Sequence, residues 1–329
     1  MKKRLLSFVA AAAAASMALV GCSSSGDNGK AESGEEYRIA IAQLLSHPSL
    51  DQSVAGFKAA LSDAGLNVKY DEQNANNDAS VIASIAGNLG SSSKNDLILT
   101  VGTTISQAVS QMVKTTPILF TAVTDPVTAG LVSSLEAPGA NVTGTSDANP
   151  VTEQIEMIKE IDPEVKTVGV IYNPGETNSV VQVEWVKEAA EPLGIEVKEA
   201  AAPSSADVYQ AAESLDVDAI YVPTDNTVVS ALDAVIQVGE AKQIPVYAAE
   251  GDSIAKGAVS TYGISYYDLG YQTGQMAVEI LTEGADPADM PVETQSELLV
   301  YLNLGAAERM GVTFPESLTE RAKEENITQ

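Results

Sequence analysis

From Tyr37 onward the chain alternates short apolar β-like runs with stripes of helical period, and it does so twice. Tyr37 to Leu44 reads as a strand. Val54, Phe57, Leu61 and Ala64 then form one face of a helix that opens on a capping box, Ser49-Leu50-Asp51-Gln52, and stops at Gly65. The first round continues as strand 67–70, helix 81–89, strand 96–101, helix 105–112, strand 117–123, short helix 127–135 and strand 141–145. A second round runs through helix 152–161, strand 167–172, helix 178–193, strand 195–200, helix 206–215, strand 219–222, helix 227–242 and strands 245–248 and 258–262. Helix 268–282, strand 297–302 and helix 305–310 follow. Strands separated by helices pair in parallel through right-handed crossovers, so each round predicts an open sheet with helices on its faces. The rounds share architecture without evident sequence identity, which means two similar lobes and not a solenoid. The elements left over after the second round require several crossings between lobes. The expected division is 37–145 plus about 264–290 for lobe 1, and 146–263 plus about 291–329 for lobe 2.

The first 22 residues belong to neither lobe. Met1 to Arg4 is basic, Leu5 to Val20 is apolar and Ala-rich, and Leu19-Val20-Gly21-Cys22 ends the segment. That order reads as a secretory signal. The apolar stretch spans roughly 24 Å as a helix, short of the ~30 Å hydrocarbon core of a bilayer, so a removed signal fits better than a permanent span. LVGC resembles the lipobox of bacterial lipoproteins, which implies that Cys22 becomes a lipid-bearing N-terminus on the outer side of the cell membrane, at the surface or in a periplasm. The alternative is an ordinary signal with an incidental cysteine. Ser23 to Glu36 is small and polar, a tether with a root-mean-square reach of about 20 Å.

At 329 residues the chain is long enough for two domains, and with hydrophobic residues at 45% but aromatics at only 5%, Ala, Val, Ile and Leu must fill the core. Cys22 is the only cysteine, so a disulfide or thiolate metal site is excluded. The formal charge is −27, and three cations leave with Lys2, Lys3 and Arg4. Such a field repels nucleic acid and anionic lipid surfaces.

Ligands of open parallel sheets collect where strands hand over to helix N-termini. The polar residues at those positions are Ser46 and His47, Thr103, Thr124 and Asp125, Asn173, Asn178 and Ser179, Asp225 and Asn226, Glu250, and Tyr266 near Tyr262 and Tyr267. Hydroxyls and amides can donate to a carboxylate, and the acids can accept from an ammonium. Each small polar residue can equally be a helix cap, and the tyrosines can equally be hinge packing. No phosphate loop and no GxSxG elbow occur. His47 is the sole histidine, with Ser46 its immediate neighbour, which leaves neither a catalytic triad nor a metal set. The acidic run 71–78 lacks the glycine and terminal glutamate of a calcium loop and reads as a strand end and helix cap. No cofactor is expected.

Six runs carry a resemblance: HPSLDQSVAGFKAALSDAG, PILFTAVTDPVTAGLVSSLEAPGANVTGTSD, VGVIYNPGETNS, VDAIYVPTDNTVVSA, YGISYYDLGYQTGQMAVEIL and LLVYLNLGAAERMG. In this order they resemble the ABC-transporter substrate-binding family that includes tryptophan- and phenylalanine-binding lipoproteins. The resemblance covers about Ile39 to Gly311. It implies an α/β chain of two Rossmann-like lobes joined by a multi-crossing hinge, like a type I periplasmic binding protein. It also implies an amino acid as cargo, aromatic in the named members, and an ABC permease with its ATPase as partners. On the chemistry of the side chains, Thr103 and Ser179 are expected at the carboxylate, Asp225 at the ammonium and Tyr266 at the side chain. A ligand-sensing module of the same fold, or an extracellular enzyme on it, remains an alternative.

Overall fold

Leu97 to Val101 is buried at every position, and a strand without a polar face needs cover on both sides. The computed structural model describes residues 36–329. The expected signal, its Cys22 and the tether up to Glu35 lie outside the described residues. In chain order the elements are β1 Glu36–Gln43, α1 Pro48–Asp63, β2 Asn67–Asn74, α2 Ala79–Gly90, β3 Leu97–Val101, α3 Thr103–Met112, β4 Ile118–Thr121 and β5 Val142–Ser146. The second round comprises α4 Val151–Ile161, β6 Thr167–Tyr172, α5 Thr177–Ala190, β7 Glu196–Ala201, α6 Val208–Ser214, β8 Ala219–Val222, α7 Asn226–Ser230, α8 Leu232–Lys242, β9 Val246–Ala248, α9 Gly251–Lys256 and β10 Ser260–Gly263. After these come α10 Tyr266–Val278, β11 Glu293–Thr294, β12 Leu299–Asn303, α11 Leu304–Arg309, α12 Glu316–Arg321 and β13 Ile327–Thr328.

The first sheet has the order β11-β5-β4-β3-β1-β2 and is parallel throughout. The second, β7-β6-β8-β9, is parallel as well. A small third sheet pairs β10 antiparallel to β12, with β13 on its edge. Two separate cores follow from this. One is built on Ile39, Phe57, Leu99 and Phe120, the other on Val170, Ile220, Tyr221 and Val235. Leu269 and Met276 of α10 belong to the first core, so the chain returns to lobe 1 after β10. It stays there through β11, whose partner is β5, and crosses again only after Thr294.

Glycines fix that return. A Cβ on Gly270 would lie 1.9 Å from the Ser53 carbonyl oxygen, and one on Gly56 would lie 2.0 Å from that of Tyr267. Helices α1 and α10 therefore touch backbone to backbone, a distance that no side chain permits.

Four local expectations are corrected. The segment 127–135 forms successive turns instead of a helix, since Pro126 and the left-handed Gly130 (φ 71°) bracket a stretch too short to propagate. The helix expected over 227–242 breaks at Ala231 (φ −117°, ψ 25°), with α7 held at its first turn by carboxylates and α8 by the core beneath it. The capping box at Ser49 does not form. Helix α1 starts instead at Pro48, whose fixed φ suits a first helical position, and Ser49 turns to another partner. Helix α10 begins at Tyr266, two residues before the expected start, because Ser265 supplies its cap. Among the described residues no helix is long and apolar enough to cross a membrane.

Candidate functional site

Strand ends of both sheets open onto one cleft. Lobe 1 contributes His47, Ser49 and Leu50 from the start of α1 and Ala122 and Thr124 beyond β4, while Asp147 follows β5 at the crossing between the lobes. From lobe 2 come Asn178 in the first turn of α5, Thr224, Asp225, Asn226 and Val229 around the start of α7, and Glu250 beyond β9, while Tyr266 closes the hinge side. Side chains meet across the gap. Ser49 Oγ donates to Glu250 Oε2 at 2.8 Å, Asn77 Nδ2 to Thr227 Oγ1 at 3.2 Å and Gln182 Nε2 to Thr124 Oγ1 at 3.5 Å. The Thr124 and Thr224 hydroxyls lie 3.3 Å apart, and His47 Nε2 is 3.4 Å from Asn226 Oδ1. The remaining cavity is ≈ 10 Å³, room for about one water. A larger solute enters only when the lobes part.

The two walls differ electrostatically. On lobe 2 the starts of α7 and α9 already hold carboxylates. Asp225 accepts from Val228 N at 2.8 Å and Asn173 N at 2.5 Å, and Glu250 accepts from Ser253 N at 3.1 Å. Glu176 takes Thr227 N (3.0 Å) and Oγ1 (2.8 Å) on one oxygen, and Asn226 N (3.1 Å) and Nδ2 (2.7 Å) on the other, tying the start of α5 to that of α7. Burial pushes the Asp225 carboxyl up to about 7, with the Glu176 charge adding to the rise and the two backbone donors opposing it. Burial, with Glu250 beside it, raises Asp252 to about 6. Burial also raises Asp147, which accepts from Tyr266 Oη at 2.5 Å and Thr124 Oγ1 at 3.1 Å. Among the described residues no lysine or arginine lines the cleft.

Lobe 1 presents the opposite character. Helices α1 and α3 start at His47 and Gly102 with no side-chain cap, so their first N–H groups stay free at the positive ends of the helices. Gly102 holds φ 98° there. The Thr103 hydroxyl and His47 Nδ1 are buried without a partner, as is Asn178 Oδ1 opposite them. Desolvation lowers the His47 pKa, which favours the neutral ring. A solute carrying an ammonium at one end and hydrogen-bond acceptors at the other matches these walls.

Of the residues singled out in the sequence, His47, Thr124, Asn178, Asp225, Asn226, Glu250 and Tyr266 come together in the cleft wall. The others stand back from it. Ser46 is exposed and donates to Asp51 at 2.7 Å, and Asp125 caps the turn at Val127 and Thr128. Asn173 bonds Thr227 Oγ1 at 2.9 Å, and Ser179 supports Asp225 from behind. Thr103 is buried at the start of α3, outside the wall. Tyr262 lies away from the cleft, beside α4, and Tyr267 is exposed. Sequence reasoning missed Ser49, Glu176 and Gln182. Glu176 sits between Gly175 and Thr177 in a loop after a strand, a position that could have flagged it. Gln182 lies inside α5 and carries no such signal.

Comparison with known proteins follows the same geometry. Residues 38–326 match the family described as ABC transporter substrate binding protein. A tyrosine-binding protein of Clostridioides difficile is 42% identical over 92% of this chain and 90% of its own length. The crystal structure of an ABC domain from Streptococcus pneumoniae in complex with L-Trp is 36% identical, covers 90% of this chain and 100% of that one, and superposes with a TM-score of 0.85. The ligand-free, open structure of a Clostridium difficile substrate binding protein with adhesive properties is 42% identical over 89% of this chain and 98% of that one, yet its TM-score is 0.67. The sequence is nearer to the open protein and the shape nearer to the liganded one, so the lobes here have the closed arrangement.

Proposed function

Since the chain belongs to the ABC transporter substrate binding protein family, we propose that it captures an aromatic amino acid between its lobes and delivers it to a permease driven by an ATPase. The observation that carries this reading is the closed cleft, with Asp225 and Glu250 on lobe 2 and the free N-terminus of α1 on lobe 1, in a shape shared with a tryptophan complex. The ammonium is assigned to Asp225 and Glu250. The carboxylate goes to the first turns of α1 and α3, with the Thr103 hydroxyl behind them. Tyr266, Leu50, Ala122 and Val229 are the groups available to the ring.

Ligand shifts the lobes toward closure only by the difference in its affinity for the two forms. Bonds such as Ser49 to Glu250 exist only when the lobes meet, and they add to that difference. The lobes are assigned as 37–145 with 264–294, and 146–263 with 295–329, each crossing between them serving as a hinge strand. Cys22 carries the lipid that anchors the protein on the outer side of the membrane, and Ser23 to Glu36 is the tether. No turnover of the bound solute is assigned: His47, the sole histidine, reaches Asn226 and not a serine.

A thermal-shift screen of the purified protein against amino acids, nucleosides and sugars tests this reading. A bound ligand at 100 times its Kd adds about 2.7 kcal/mol. Tyrosine, tryptophan or phenylalanine should stabilise the protein most. Stabilisation by sugars alone would reject the amino-acid reading.

A further inference from the structure

The carboxylates in the cleft wall, Asp147, Asp225 and Glu250, have no cationic side chain beside them in the lining. On the lobe 2 wall the N–H groups of Asn226 and Thr227 are taken by Glu176, that of Val228 by Asp225 and that of Ser253 by Glu250. The starts of α7 and α9 are thereby closed to an anion, and on that side the start of α5 keeps its first N–H groups uncapped. Lobe 1 offers the free N–H groups at the start of α1 and hydroxyls, all of them neutral, and among the described residues no lysine or arginine lies in either wall. Asp147, Asp225 and Glu250 face the same space, inside a chain whose formal charge is −27. A carboxylate entering this cleft is held by neutral donors against the field of three acids. An ammonium is held by those acids directly.

We propose that this site takes aromatic primary amines as well as amino acids, its binding anchored by the ammonium and tolerant of a lost carboxylate. The proposal rests on the capture of aromatic amino acids argued above. Removing the carboxylate forfeits a few hydrogen bonds between a charge and neutral donors. Removing the ammonium strands buried acids without a counter-charge, which is the larger loss.

The test is calorimetric titration of the purified protein with L-tyrosine, tyramine and 3-(4-hydroxyphenyl)propionate, the last two being tyrosine without its carboxylate and without its ammonium. Tyramine is expected within about 100-fold of tyrosine, and the propionate at least about 1,000-fold weaker than tyrosine. Asp225→Asn and Glu250→Gln should each narrow the gap between tyramine and the propionate by about 10-fold or more. Two substitutions are used because one of them could impair folding. Binding of tyrosine with tyramine more than about 1,000-fold weaker, or with the propionate equal to tyramine, overturns the proposal and leaves amino-acid capture standing. If neither tyrosine, tryptophan nor phenylalanine binds, the capture reading fails and the proposal with it.

Discussion

Ser49 and Glu250 are 201 residues apart in the chain and belong to different lobes, yet the Ser49 hydroxyl donates to the Glu250 carboxylate at 2.8 Å inside the closed cleft. The bond can form only when the lobes meet, so its free energy counts toward closure and not toward folding of either lobe. A hydrogen bond to a charged group contributes about 1.5–3 kcal/mol. Ser49→Ala should therefore weaken ligand binding by about 10-fold or more, with little change in thermal stability of the ligand-free protein. Calorimetry and a melting curve on the same variant check both halves. A melting temperature lowered as much as the affinity would assign Ser49 to packing instead.

Asp225 is fully buried, and both of its oxygens accept only from its own lobe. Asp225→Asn keeps the shape and an acceptor for the α7 cap while removing the charge assigned to the ligand ammonium. Affinity for an aromatic amino acid should fall at least about 10-fold, since removing one partner of a buried ion pair costs ~3 kcal/mol or more. The variant should melt no lower than the wild type, because the buried carboxylate is a burden in the absence of a cation. Unchanged affinity in calorimetry would remove Asp225 from the site.

How much of this was legible in the sequence depends on the length scale of each cause. Strands such as Leu97–Val101 and helix faces such as Val54, Phe57 and Leu61 are set by local periodicity, and they lie where that period places them. Strand ends are local too, which is why His47, Asp225, Asn226 and Glu250 could be named in advance. What fails is the choice between a cap and a ligand group. Asp125 and Asp225 look alike in sequence, each after a strand and before a helical pattern. Asp125 turns to the N–H groups of Val127 and Thr128 at an exposed corner, while Asp225 is pinned under the other lobe. Ser49 and Gln182 acquire their roles only from residues more than forty positions away, so no window of sequence contains their partners.

Ligand binding should depend on pH through Asp225. Its carboxyl is pushed up to about 7 by burial and by Glu176, and only the ionised form pairs with an ammonium. Affinity should rise as pH climbs from 5.5 through about 7 and level off above it. Stability of the ligand-free protein runs the other way for this group. Its native pKa lies above the ordinary 3.8, so its contribution is complete below about 4 and is lost as pH rises through about 7. His47 acts oppositely: burial lowers its pKa, so its contribution is complete above 6.5 and is lost as pH falls below that through the lower native value. The profile of wild type minus Asp225→Asn isolates the aspartate. Glu176→Gln removes the neighbouring charge and should move the binding transition to lower pH. Titrations between pH 5.5 and 8.5 that show no slope in any of the three proteins would rule the ionisation out.

The contact of α10 with α1 predicts a stability effect far from the ligand. A Cβ placed on Gly270 would lie 1.9 Å from the Ser53 carbonyl oxygen, so Gly270→Ala must push the two helices apart. The helical propensity of alanine favours the substitution by only about 1 kcal/mol, whereas overpacking at a rigid backbone contact costs about 1–3 kcal/mol or more. The net effect should be destabilising, with a lower midpoint of urea unfolding. Because Tyr266 is the first residue of α10 and its hydroxyl donates to Asp147 at the cleft, the same displacement should reach the site and weaken binding by several-fold. Gly284→Ala is the control. It lies at the helix end with nothing within 4 Å of the added carbon, and its positive φ of 72° makes it a local strain only. Equal losses of affinity in the two variants would show that stability, and not the position of α10, governs the cleft.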